Sequence, residues 1–425
     1  MGDKRRHLGR YKAAAGINAA AGIVACVSAT FLFTSHAVAQ TDLDEGWVED
    51  LPRPGFEPRR IRTNGFIISP SFDFSAIADS NLLADDDVED TDLQLLFEPA
   101  LNITRRTSNL NFDTEIFAGA RRHIDNVQEN LETFGFDSSF RYNFNRKNSA
   151  VAEFGFQRSF ERRDDPDAFD DQTVTPTLIN IVNAGVGYDY RPGRFGASAR
   201  LNVINANFLS VEDDDRDLTN TSATVRALAG ISNKIDFFGE GFINWRTFRL
   251  DVDRTGVNRD ARTAGFRTGV AFDITDKLEG EIGVGIFNVN FQDPSLDDFT
   301  GTAVSGSVRW LPRARTGVLL NVFRGDETTI RFGASGRIDT RARAEIIREL
   351  RHNVRGRASL GYRRRQFRTA GVQTETDVTA RVGVEYLLNR HVALSADYDF
   401  TNRDATIVSD QFDRHRFGIS LNLRY

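Results

Sequence analysis

The chain has 425 residues, 40% hydrophobic and 27% charged, with a formal net charge of −6. A mean hydropathy of −0.38 excludes a bundle of apolar membrane helices. The single cysteine excludes a disulfide framework, and with it a thiolate metal site.

In chain order, Lys4, Arg5, Arg6, Arg10 and Lys12 precede an apolar stretch ending near Phe33, and Ala37-Val38-Ala39 is the small-x-small pattern that a signal peptidase reads. Residues 1–39 are therefore expected to be a signal peptide. Its removal takes Cys26 away and leaves a net charge of −10. Residues 40–62 lack alternation and are rich in proline and charge. They are expected to form a periplasmic extension, with a plug entering the lumen and a tether to a periplasmic partner both open.

From residue 63 to residue 425 one unit recurs, ten to sixteen residues of alternation followed by a break. Phe134, Phe136, Phe140, Tyr142 and Phe144 share one parity, and Val378, Ala380, Val382, Val384 and Tyr386 repeat the pattern. Ile235 to Phe248 carries aromatic residues on both parities, which predicts a bulge or an inward-facing ring. The breaks alternate between short basic turns, such as "NRKN" at 145–148 and "NRH" at 389–391, and longer acidic loops, such as "RDDPDAFDDQTVTP" at 163–176 and "SVEDDDRDLTN" at 210–220. Strands of this length span a hydrocarbon layer when tilted, and lipid tolerates a sheet only if it closes on itself. The expected fold is all-β, a transmembrane antiparallel up-and-down barrel of about 18 strands (16–18), with short periplasmic turns and longer acidic extracellular loops. A polar lumen face accounts for the low hydropathy.

Three stretches, "GFIISPSFDFSAIADSN" at 65–81, "RHNVRGRASLGYRRRQF" at 351–367 and the end strand "RHRFGISLNLRY", resemble the putative β-barrel porin 2 family of bacterial outer-membrane proteins. The resemblance covers nearly the whole mature chain and implies the fold and an outer-membrane location, and it supplies no catalytic residue. It also implies that Phe417 and Tyr425 belong to the aromatic C-terminal signal recognised by the barrel assembly machinery.

If the apolar parity faces outward, the lumen of the C-terminal third carries Arg337, Arg341 and Arg343 on one strand, Arg355, Arg357, Arg363 and Arg365 on the next, and Arg381 and Arg416 on the strands after. Asp339, Glu345, Asp377, Glu385, Asp397 and Asp399 share that side. Arginine rings across a narrow wet pore sort solutes by sign, while the same residues can serve only to cross-link the wall. The acidic loops lack the spacing of a calcium site and are expected to be solvated, or to share divalent ions with lipopolysaccharide. His123 is expected in a loop, His352 and His391 in short turns, and His415 near Ser409 without a third member, so no catalytic set is expected.

The expected function is passive passage of small, anionic or sugar-like solutes, or polysaccharide export, by a monomer or homo-oligomer in lipid and lipopolysaccharide. No cofactor and no nucleic acid are expected. The alternative is a closed or plugged barrel with a structural or surface role.

Overall fold

The computed structural model describes residues 47–49, 51–86, 90–168, 175–275, 277–331, 333–368 and 372–425; the expected signal peptide at 1–39 lies outside them. A short strand β1 (Ile61–Thr63) turns back through Asn64 and Gly65 onto β2 (Phe66–Asp79). Both turn residues have positive φ, the geometry that an Asn-Gly pair adopts at least cost. There follow β3 (Asp92–Arg106), β4 (Leu110–His123), β5 (Leu131–Asn145), β6 (Asn148–Phe160), β7 (Leu178–Tyr190), β8 (Phe195–Phe208), β9 (Leu218–Gly230), β10 (Ile235–Phe248), β11 (Ala261–Thr275) and β12 (Leu278–Phe291). The chain continues through β13 (Phe299–Arg313), β14 (Thr316–Glu327), β15 (Gly336–Arg351), β16 (Val354–Arg368), β17 (Val372–Leu387), β18 (Val392–Ala405) and β19 (Phe412–Arg424).

Each strand from β2 onward pairs antiparallel with the next, and β19 pairs with β2, so the 18 strands close into a barrel. The seam is held on its lumenal side as well as by its backbone. Ser75 and Ser420 bond through their hydroxyls at 2.8 Å, Asn422 donates to Asp73, and Arg414 forks onto Asp79. The last residue, Tyr425, donates its backbone N–H to the Pro70 carbonyl, and its ring lies beside His391.

Burial is inverted relative to a soluble protein. Leu360 is 64% exposed and Ile286 62%, whereas Arg337 and Glu240 are 1% exposed. Outward side chains meet lipid, inward ones meet one another and the wet lumen. Tyr190, Phe195, Trp310, Tyr386 and Tyr425 point outward near the short-turn end, as an interfacial aromatic girdle requires. Leu360→Arg, at mid-strand in β16 on the lipid face, should cost about 2–4 kcal/mol, measured by reversible denaturant unfolding in bilayers.

One expectation is resolved between its two alternatives and one is corrected. The strand β10 pairs without a register break on both sides, so its mixed parity is an inward-facing set of rings and not a bulge. Phe238, Phe242 and Phe248 point into the lumen beneath guanidinium groups, with Arg226 over Phe238 at 4.2 Å, Arg267 over Phe242 at 5.1 Å and Arg259 over Phe248 at 4.5 Å. The acidic loop at 210–220 is not a solvated tip. Asp213, Asp215 and Asp217 are buried because Arg216, Arg249 and Arg254 bring their charges to them.

Candidate functional site: the arginine wall and the inward loop

The period of two places all nine predicted arginines on the lumen face. In the β15–β16 register Arg341 stands opposite Arg363 and Asp339 opposite Arg365, and Arg363 faces Asp377 on β17. Like charges directly opposite repel, so their neighbours decide the outcome. Arg363 donates from Nη2 to Asp339 at 2.6 Å, Arg341 bonds Glu327, and Arg365 reaches Asp377 at 2.7 Å. Arg337 bonds Asp167 at 2.8 Å and lies 3.2 Å from Asp339. Arg381 forks onto Asp399. Arg343 reaches Glu345 at 3.3 Å, Arg355 reaches Glu385 at 2.8 Å, and Arg357 bridges Glu345 and Glu49. Arg416 forms no such carboxylate bond among the described residues. Cross-linking of the wall is thus the condition of most of these side chains.

The residues that sequence reasoning missed lie in the β6–β7 loop. The strand β15 stands nine places from β6 in the 18-strand order, half way round the barrel. The Asp167–Arg337 bond therefore crosses the lumen, and residues 161–168 must fold inward. Further bonds seat the loop: Glu161 to Arg216, Asp164 to Arg162 and Arg414, and Arg163 to Glu129. The backbone carbonyls of Asp164, Pro166 and Asp167 accept from Arg403, Arg331 and Arg216. The acids of the "RDDPD" run are the only local signal, because their partners lie far along the chain.

Between this loop and β15–β19 lies a cavity of about 350 Å³. Seven of the nine predicted arginines line it, Arg337, Arg341, Arg343, Arg363, Arg365, Arg381 and Arg416, together with Arg162 and Arg403. Against these nine guanidinium groups stand four carboxylates, Asp164, Asp165, Asp377 and Asp399. On the lining itself guanidinium groups outnumber carboxylates, while Asp167, Glu327, Asp339, Glu345 and Glu375 bond five of these arginines from outside it. Arg355 and Arg357 are not brought to it and sit instead toward the short-turn end.

Burial, reinforced by the charge of Asp167, pushes the Asp165 carboxyl up to about 7. Below that pH it is neutral, and above it the cavity gains a negative charge. Preference for anions should therefore fall as pH rises from 6 to 8, read as a shift in reversal potential, and Asp165→Asn should abolish the shift. The folded loop also retains a proton that the unfolded chain would release at ordinary carboxylate pH. This contribution to its stability is complete at low pH and is lost as pH rises through about 7.

At the other end, Trp47, Val48, Glu49 and Arg53 enter the lumen. Trp47 and Val48 are buried against Ile347, with Leu311 and Leu319 beside them. Glu49 bonds Arg357 at 2.6 Å and lies 3.6 Å from Arg355, while Arg309 stacks over the Trp47 ring at 4.2 Å. The indole lies on Gly317, where a Cβ would come within 2.5 Å of it. A glycine is needed for that close approach.

Among the described residues the histidines form no common cluster. His123 ends β4 and is buried, not in a loop, because Asp92 and Gln94 bond both ring nitrogens. His352 and His391 lie at short turns, and His415 bonds Tyr398 on the outer face.

No curated protein matches the chain. Solved structures similar to it include the outer membrane protein OpdK from Pseudomonas aeruginosa (10% identity, 84% of this chain and 99% of that one, TM-score 0.44). Others are OccK2 (OpdF) from the same organism (10% identity, 87% and 99%, TM-score 0.45) and OccAB3 from Acinetobacter baumannii (8% identity, 85% and 100%, TM-score 0.44). The sequence profile of one family matches residues 53–425, the whole barrel with part of the segment that precedes it. By that match the chain belongs to the family described as putative beta-barrel porin 2, and it is a porin-like outer-membrane β-barrel.

Proposed function

We propose that the barrel is a diffusion channel that favours small anionic solutes, filtered where the inward loop narrows the lumen against the arginine wall. The observation that carries this reading is the cavity itself, with nine guanidinium groups against four carboxylates. Charges lining a narrow aqueous path act on a passing ion at short range, where water screens them least. No cofactor enters the mechanism: width and charge do the sorting. In this reading Arg337, Arg341, Arg343, Arg363, Arg365, Arg381 and Arg416 set the field at the narrowing. Arg355 and Arg357 act lower down, where they also hold the N-terminal segment.

The test is swelling of proteoliposomes in iso-osmotic solutes. Gluconate should enter faster than glucosamine of similar size. Equal rates for the two would contradict charge sorting, and no swelling from folded protein would favour a second reading, a barrel closed by residues 47–57. The burial of Trp47 and Val48 inside the mouth is the observation behind that alternative. Phe417 and Tyr425 both face outward on the closing strand, which suits their proposed part in recognition by the assembly machinery.

A further inference from the structure

The lipid face of β14–β17 changes character within one step along the strands. Val322, Ala342, Tyr362 and Val378 stand side by side in one outward row, and it is apolar and exposed to lipid. The next outward row toward the long-loop end is Arg324, Thr340, Arg364 and Thr376. Arg324 donates from Nε to the Thr302 hydroxyl at 2.9 Å and from Nη1 to the Thr340 hydroxyl at 2.5 Å. Its guanidinium is thus held beside the residue that Arg364 faces from the other strand. Neither arginine bonds a carboxylate among the described residues, and Arg364 is exposed. Arg368, two outward places further along β16, is exposed too and stacks over Phe299 at 3.9 Å. The acid of this row, Asp404, stands opposite Thr376, two strands from Arg364.

An outward guanidinium is costly among acyl chains and at ease only at the level of the head groups, where an anion can meet it. Tyr362, one row below, is the kind of side chain that marks the interface. The connections that join these strands at that end, residues 328–335 and 369–371, carry no acidic residue, unlike the longer loops elsewhere. Guanidinium forks match phosphate oxygens in shape as well as charge. We propose that Arg324 and Arg364, with Arg368 above them, bind a phosphate of the outer-leaflet glycolipid, lipopolysaccharide. Its acyl chains then lie along the apolar rows beneath, over Val322, Leu320 and Leu360. The site is on the outer wall and stands whether or not the lumen conducts.

The experiment titrates the full mature barrel in detergent with bisphosphorylated lipid A, with the same lipid A stripped of its phosphates and with phosphatidylglycerol, reading bound lipid by native mass spectrometry. The bisphosphorylated form should bind more tightly than the other two. Arg324→Gln and Arg364→Gln should each weaken it about five-fold, the attraction of one basic residue to an anionic lipid surface. Arg348→Gln, on the same face of β15 near the short-turn end, should leave it unchanged. Equal binding of the stripped lipid A would overturn the recognition of phosphate, and equal binding of phosphatidylglycerol would overturn the glycolipid as occupant. Unchanged binding by a variant carrying both Arg324→Gln and Arg364→Gln, shown folded by heat-modifiable electrophoretic mobility, would overturn the site.

Discussion

Arg337→Ala is expected to destabilise the folded barrel by about 3–5 kcal/mol, the loss typical when one partner of a buried ion pair is removed. Arg337 is 1% exposed and serves Asp167 from the loop and Asp339 from its own strand. Without it two carboxylates remain in a dry place with less to offset their charge. Asp339 keeps Arg363, but among the described residues the Asp167 carboxylate keeps only the Thr329 hydroxyl. The loop should therefore lose its hold on the far wall before the barrel itself opens. Denaturant unfolding in micelles measures the first effect, and protease cleavage within residues 161–168 measures the second. Removing Asp167 as well should restore part of the loss, since the stranded charge is then gone. A double variant no more stable than Arg337→Ala would show that Asp167 is not the partner that matters.

The second large effect concerns the short-turn mouth. Trp47→Ala should weaken docking of the N-terminal segment by about 3–5 kcal/mol, the usual cost of truncating a buried large aromatic, and single-channel conductance should rise as the segment leaves the lumen. Deleting residues 47–57 should give the same or a larger rise. Gly317→Val tests the seat from the wall side, because a side chain there collides with the indole and changes no charge. It should reproduce the conductance of Trp47→Ala. If all three leave the conductance unchanged, the segment does not limit passage.

The barrel was legible in the sequence because lipid imposes a rule of period two on every strand. The parity that put Val378, Val382 and Tyr386 outward also put Arg381 inward. Nine arginines were assigned to the lumen on that basis. Their pairing was not legible. Arg365 and Arg416 look alike in sequence, yet Arg365 holds two carboxylates while Arg416 finds its two cross-strand acids, Asp399 and Asp79, already taken by Arg381 and Arg414. Such an outcome depends on competition among neighbours on three strands.

The inward loop was hidden for a related reason. "RDDPD" reads as a polar surface turn until the distant partners of its acids are known, Arg337 for Asp167 and Arg414 for Asp164, contributed by regions far along the chain. Strand β10 shows the opposite case, in which the anomaly itself was the signal. Three phenylalanines on the wet parity are unexplained by lipid, and are explained once guanidinium groups cover their faces.

The central claim is that the guanidinium-rich lining at the narrowing governs what passes. Its most direct test is the reversal potential of the wild-type channel in a planar bilayer under a gradient of potassium chloride at pH 6, where Asp165 is uncharged. A potential of the sign set by chloride is the predicted result, reduced in magnitude at pH 8. A potential set by potassium would contradict the account and move the filter to the carboxylates of the loops.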